Sequence, residues 1–501
     1  MNLRAAILFG LAALPLAVFP ACAATCESLS TLKLPSVSVT LSTQVGAGQF
    51  APAQAGPGAG AYKMLPAFCR IAATLAPSPD SDIKVEVWLP ATGWNGKLQA
   101  VGNGGWAGTI SYPALAAALG KGYATVSTDT GHSTPGGDFI AGHPEKLVDF
   151  GYRSVHEMTV LAKTLVRAFY DSDAKRSYWN GCSTGGRQGL MEAQRFPADF
   201  DGIVAGAPAN YMSHLQPWSL WVPKAVHETA ASYIPPSKYP LIHKAALEAC
   251  DALDGVRDGV IENPVRCHFD PKVLECNGPD SATCLTAAQV KAARALYATA
   301  TNPRTGAKIF PGLEPGGEMG WTGLAGPQPM GIPVDTFKYV VHNNPGWDWK
   351  TIDFDRDVAT LEKKFAGIVD AIQPDLAPFT GRGGKLILYH GWNDQLIAPR
   401  NSIDYFNAVS YAMGTARTEE SIRLYMVPGM AHCRGGDGTF NFDMLDELDK
   451  WVEKGAAPAS VLANRTNPDR SRPLCPYPQT AVYNGSGSTD EAKNFTCRVE
   501  Q

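Results

Sequence analysis

The sequence predicts an α/β fold in which helices cover both faces of a mostly parallel sheet and one large segment is inserted as a lid. Three observations point to it. Short apolar runs alternate with helical stretches up to about residue 209, and the same rhythm resumes near residue 376. Between them lies a stretch rich in Trp, Pro, Gly and Cys with no clear strand alternation.

The elements follow in chain order. Arg4, an apolar stretch from Ala5 to Phe19, Pro20 and the A-x-A-like site Ala21-Cys22-Ala23 read as a signal peptide over residues 1–23. The run is shorter than the roughly 20 residues that a spanning helix needs. Acylation of Cys22, as in a lipoprotein, is the alternative, and no later segment spans a membrane. Strands are expected at 85–89, 98–101, 123–127, 176–180 and 202–205, then at 385–389 and 423–427. Helices are expected over 155–170, 188–196 and 442–454. Residues 24–209 and 376–501 thus form the catalytic domain and 210–375 the lid, placed to cover the edge of the sheet where ligands bind in α/β folds.

Length and charge narrow the function. A chain of 501 residues has room for a large core. Charged residues are 18%, the net charge is -4, and no basic run is present, which excludes nucleic acid as a natural partner. A small molecule or a neutral polymer fits better.

Gly181-Cys182-Ser183-Thr184-Gly185 fits the G-x-S-x-G elbow, where a sharp strand-to-helix turn exposes the serine hydroxyl. Asp394 follows the strand at 385–389, and His432 follows the one at 423–427. The order Ser, Asp, His with both partners just past strand ends is that of α/β hydrolases. His432 is then the base that takes the Ser183 proton, and Asp394 the carboxylate that orients the imidazole. His390 is a rival imidazole read as structural. Asp129 and His132 also end a strand, but they precede Ser183 and are read as pocket wall or scaffold. The N–H of Thr184 and that of Gly105, in the glycine-rich loop Gly102 to Gly108, are expected to bind the oxyanion. Trp218, Trp221, Trp321, Phe337, Trp347 and Trp349 in the lid are candidates to line an aromatic pocket, most of them being core.

Eleven cysteines less Cys22 leave an even ten, which suits five disulfides in an exported chain. Proximity pairs Cys250 with Cys267, Cys276 with Cys284 and Cys475 with Cys497. Cys26 with Cys69 would tie down the N-terminus. Cys182 and Cys433 are left, either bridged because the Ser and His loops meet or buried as free thiols. Asp251, Asp254 and Asp258, with two glycines between Cys250 and Cys267, offer hard oxygens suited to calcium, with the carbonyls of Val256 and Val260 as further ligands. A solvated acidic loop is the plainer reading.

Taken together, Gly181-Cys-Ser-Thr-Gly-Gly-Arg-Gln-Gly189, Asp201-Gly-Ile-Val-Ala-Gly-Ala-Pro208, Cys250-Asp-Ala-Leu-Asp-Gly255, Lys385-Leu-Ile-Leu-Tyr-His-Gly391, Val427-Pro-Gly-Met-Ala-His-Cys433 and Pro473-Leu-Cys-Pro-Tyr-Pro478 carry a resemblance. The chain resembles the tannase and feruloyl esterase family of serine esterases, which also includes mono(2-hydroxyethyl) terephthalate hydrolases. The resemblance implies an α/β-hydrolase domain with a lid, a Ser183, Asp394, His432 triad, a Cys182 to Cys433 bridge and an oxyanion hole at Gly105 and Thr184. It also implies calcium held by Asp251, Asp254, Val256, Asp258 and Val260. The expected enzyme is a secreted or periplasmic esterase of aromatic, phenolic acids, similar to feruloyl esterases. Tannase-type or terephthalate-monoester activity is an alternative, and so is acyl transfer to an acceptor other than water. From another class, the alternative is a noncatalytic protein that holds an aromatic ligand on a hydrolase scaffold.

Overall fold

The computed structural model describes residues 24–52, 59–106 and 108–499. The segment expected to be a signal peptide, with Cys22, lies outside them. Nine strands form one sheet. Seven are labelled here: β1 (Val37–Val45), β2 (Phe68–Leu75), β3 (Ile83–Pro90), β4 (Lys97–Val101), β5 (Ala124–Thr128), β6 (Arg176–Cys182) and β7 (Gly202–Gly206). The Asp strand (Lys385–Gly391) and the His strand (Ile422–Val427) complete the sheet. Their order is β1-β2-β3-β5-β4-β6-β7, then the Asp strand, then the His strand. Pairing is antiparallel from β1 to β5 and parallel from β5 to the His strand.

Both faces of the parallel half are buried, as its unbroken apolar runs require. Alternate residues feed opposite cores. Trp179, Ile203, Leu386 and Leu388 join the core under the helix Ser154–Tyr170, whereas Tyr178, Val204, Ile387 and Tyr425 pack against the helix Met444–Lys454. The chain leaves β4 outward to β5 and then returns past β4 to β6, so β4 and β6 become neighbours with their C-terminal ends side by side. That reversal is the switch point at which such sheets bind ligands.

The segment expected to form the lid is mostly helical, apart from a small hairpin of Ala300–Thr301 with Lys308–Phe310. Its core gathers Trp218, Trp321, Phe337 and Trp347 and continues into Trp106, Phe150 and Ile397 of the sheet domain. Several boundaries differ from expectation. The elbow helix begins at Thr184 rather than Gln188, because the first turn is built from glycines that carry no periodicity. The antiparallel strands β1 and β2 are additional, as are two C-terminal hairpins, Val461–Thr466 with Asp469–Leu474 and Gln479–Tyr483 with Phe495–Val499. Disulfides join Cys26 to Cys69, Cys182 to Cys433, Cys250 to Cys267, Cys276 to Cys284 and Cys475 to Cys497.

Candidate active site

Ser183 occupies the turn between β6 and the helix Thr184–Arg195, with φ 64° and ψ -122°. A non-glycine residue holds such a conformation only when its surroundings impose it. Here its N–H donates to the Gly206 carbonyl at 2.9 Å, and its own carbonyl accepts from the Arg187 N–H at 3.0 Å. The turn also needs Gly181, where a Cβ would stand 2.7 Å from the Gly185 carbonyl.

The glycine-rich loop leaves β4 beside this turn. Asn103 and Gln188 clamp the two: the Asn103 N–H donates to Gln188 Oε1 at 3.1 Å, and Gln188 Nε2 donates to Asn103 Oδ1 at 3.1 Å. The Gly185 N–H donates to the Asn103 carbonyl at 2.8 Å, and the Thr184 hydroxyl to the Gly105 carbonyl at 2.8 Å. Gly105 adopts φ +58°, where a side chain would be strained. Among the described residues no backbone acceptor engages the N–H of Gly105 or of Thr184. Both are free to donate to a ligand.

Asp394 is buried just past the Asp strand, and each of its oxygens is satisfied. Oδ1 accepts the N–H groups of Leu396 and Ile397 at 2.8 and 3.0 Å. Oδ2 accepts from His432 Nδ1 at 2.7 Å and from His390 Nε2 at 3.0 Å. A carboxylate only accepts, so both imidazoles donate to it. His390 Nδ1 lies 2.7 Å from the Ser402 hydroxyl, which holds the buried imidazole in place as a support for Asp394. His390, expected to be structural, thus contacts the candidate triad directly, which its sequence position alone does not disclose. Its place four residues before Asp394, at the end of the same strand, was the available signal. Burial raises the Asp394 carboxyl, but the His432 charge and the two imidazole hydrogen bonds outweigh it and hold the group well below the usual carboxylate range. Burial likewise lowers His432, yet the charge and hydrogen bond of Asp394 leave it raised.

Ser183 and His432 line one cleft of about 350 Å³ together with Gly105 and Thr184. The Cys182 to Cys433 bridge joins the residues beside them, with Cα atoms 6.0 Å apart. No hydrogen bond joins Ser183 to His432 among the described residues; such contacts often close only around substrate. The larger side chains of the lining are Met212, Leu215, Met330, Ile332, Leu396 and Ile397, with Gln216 and Ser219 as polar groups. None of the six lid aromatics lines the cleft. Trp218, Trp321, Phe337 and Trp347 are consumed by the lid core, and Trp221 and Trp349 pack against its edge. A larger cavity of about 490 Å³, near the C-terminal hairpins, contains no serine or histidine.

Asp129 and His132 do not reach the cleft. Asp129 accepts the N–H groups of Lys84 and Gly131, and His132 stacks on Phe139 at 3.8 Å. Both serve the scaffold.

The acidic loop behaves unevenly. Asp251 accepts the N–H groups of Asp258 and Gly259, and Asp254 accepts that of Val256. Asp258 pairs with Arg472 at 2.5 Å and Arg470 at 3.2 Å. Asp254, Asp258, Val260 and Glu262 border a cavity of about 20 Å³, room for one ion or water. Burial, and then the charges of Asp258 and Asp251, push Asp254 up to about 6. This crowding of hard oxygens around a small cavity fits a calcium ion in donor type, although Asp251 points to the backbone and Asp258 is shared with arginines.

The family profile described as tannase and feruloyl esterase matches residues 69–498. An uncharacterised esterase of Xanthomonas campestris pv. campestris is 39% identical, the match covering 95% of this chain and 91% of the relative. A probable feruloyl esterase B-2 of Aspergillus terreus is 35% identical over 95% of each. The crystal structure of feruloyl esterase B from Aspergillus oryzae superposes with a TM-score of 0.87 at 32% identity, covering 94% of this chain and 99% of that one. With its α/β-hydrolase sheet and elbow, the chain belongs to the tannase and feruloyl esterase family and is a carboxylic ester hydrolase.

Proposed function

We propose that the chain is an exported serine esterase that hydrolyses esters of phenolic acids through Ser183, His432 and Asp394. One observation carries the reading: the serine and the Asp394-bound imidazole share a mostly apolar cleft, with Thr184, Gln216 and Ser219 as its other polar side chains and no arginine or lysine among the described residues that line it. His432 donates Nδ1–H to Asp394, which leaves Nε2 as the free base. As Ser183 Oγ attacks the ester carbonyl, Nε2 takes its proton, and the oxyanion is met by the N–H groups of Thr184 and Gly105. His432 then protonates the departing alcohol, and water repeats the cycle on the acyl-enzyme. The lining favours a neutral aromatic acyl group. A terephthalate monoester would bring a carboxylate with no cation to receive it.

Export is supported by the apolar N-terminal segment and by five disulfides among the described residues. A structural calcium is proposed at Asp251, Asp254 and Asp258 with the carbonyls of Val256 and Val260, where it would neutralise crowded carboxylates without entering the reaction. The test is turnover of methyl ferulate, methyl gallate and mono(2-hydroxyethyl) terephthalate by the parent and by Ser183→Ala. Ferulate turnover that disappears in the variant is expected. A variant as active as the parent removes Ser183 as nucleophile, and preference for the terephthalate ester removes the substrate assignment.

A further inference from the structure

The back of the elbow helix holds a second group of ionisable side chains. Glu192, near its C-terminal end, is only 1% exposed, and neither carboxylate oxygen meets a hydrogen-bond donor among the described residues, the polar group within reach being the Asp199 carboxyl. An ionised carboxylate left so would cost several kcal/mol. His156, in the first turn of the helix Ser154–Tyr170, and Asp199, in the loop before β7, each present a ligand atom to it. One atom from each of the three lies within 4.8 Å of the others. His156 Nδ1 and Asp199 Oδ2 are 2.6 Å apart, and the imidazole is held flat against Phe196 at 3.9 Å. The neighbouring Lys163 ammonium gives its hydrogen bonds to the carbonyls of Ala198 and Asp199 and none to Glu192.

We propose that His156, Glu192 and Asp199 form a binding site for a divalent transition-metal ion of the zinc or manganese class. One imidazole nitrogen and two carboxylates at such spacing form a ligand set for ions with bonds of about 2.0 to 2.2 Å, smaller and less oxygen-restricted than calcium. The ion would receive the carboxylate to which the protein offers no donor. The His156 side chain is 30% exposed, which provides a route from solvent. The site ties together the elbow helix, the helix beneath it and the loop leading to β7, so its role is structural. The competing arrangement is a protonated Glu192 sharing its proton with Asp199.

The test is calorimetric titration of the chelator-stripped full chain with zinc chloride, repeated with manganese chloride. One tight equivalent of one ion is expected, kept in Asp254→Asn and in His143→Ala, an exposed surface histidine. Binding weaker by at least about tenfold is expected in His156→Ala and in Glu192→Gln. Glu192→Gln keeps the side-chain shape, and circular dichroism reports whether each variant is folded. Anomalous scattering from a zinc-soaked crystal should place the ion beside His156. No uptake of either ion, or uptake unchanged in both site variants, overturns the proposal in favour of the shared proton.

Discussion

One oxygen of Asp394 receives two imidazoles, and under the proposed mechanism that arrangement would set the pH response of the site. For His432 to act as base it must be neutral, so turnover falls as pH drops through its pKa. Burial lowers that pKa and the Asp394 charge raises it, with a net rise. The acidic limb of kcat/KM should therefore lie above the ordinary histidine range of about 6.5. Asp394→Asn removes the raising cause and leaves the lowering one. Its residual activity, reduced on the order of 10⁴-fold by loss of tautomer control, should show an acidic limb displaced to lower pH. A pH profile of the variant that keeps the parent's limb would show that Asp394 does not tune the base.

At the level of elements, two devices bring the site together. The Cys182 to Cys433 bridge spans 251 residues and fastens the elbow to the His loop, where Ser183 and Cys433 both take positive φ. In the chain-entropy account a loop of that length is worth up to about 5 kcal/mol. The double variant Cys182→Ser, Cys433→Ser should melt earlier. At a temperature where it is still folded, kcat should fall further than KM changes if the bridge sets the approach of the proposed base to the proposed nucleophile. A folded double variant with the parent's kcat would reduce the bridge to a stabilising link. The second device is the lid helix Met212–Val226, which places Gln216 in the cleft. Its amide has no hydrogen-bond partner among the described residues, so a ring hydroxyl of a phenolic acyl group can satisfy it. Gln216→Leu should cost about tenfold or more in kcat/KM for methyl ferulate and little for methyl cinnamate, which lacks that hydroxyl. Equal losses on both esters would assign Gln216 to packing.

Across the whole molecule, the parallel half of the sheet was legible because most of its strands are short apolar runs closed by turn residues such as glycine and proline. The candidate triad was legible for the same reason, each member standing just past a strand end. Contacts made by folding were not: the Asn103 and Gln188 clamp joins residues on separate elements, and the C-terminal strands Asp469–Leu474 and Gln479–Tyr483 are half-exposed with no clean alternation. Those hairpins matter to the proposed calcium site. Arg470 and Arg472 of one hairpin reach Asp258, the Ala481 N–H of the other donates to Glu262, and Pro428, in the loop that leads to His432, borders the same small cavity. A cation there would join insertion, hairpins and His loop. Without it, burial and then carboxylate repulsion set Asp254 to about 6, while Glu262 is raised by burial to about 8. Both folded values exceed the unfolded ones near 4, so the folded chain binds more protons and the metal-free protein loses stability as pH rises through this window. A calcium ion bound there would favour the ionised forms and reverse that loss. Chelation should therefore lower the melting temperature more at a pH above the Glu262 value than at one below the Asp254 value. At a hundredfold excess of calcium over Kd the linkage amounts to about 2.7 kcal/mol. A melting temperature indifferent to chelator at both pH values, in protein shown by elemental analysis to have carried calcium, would remove the ion from the stability of the fold.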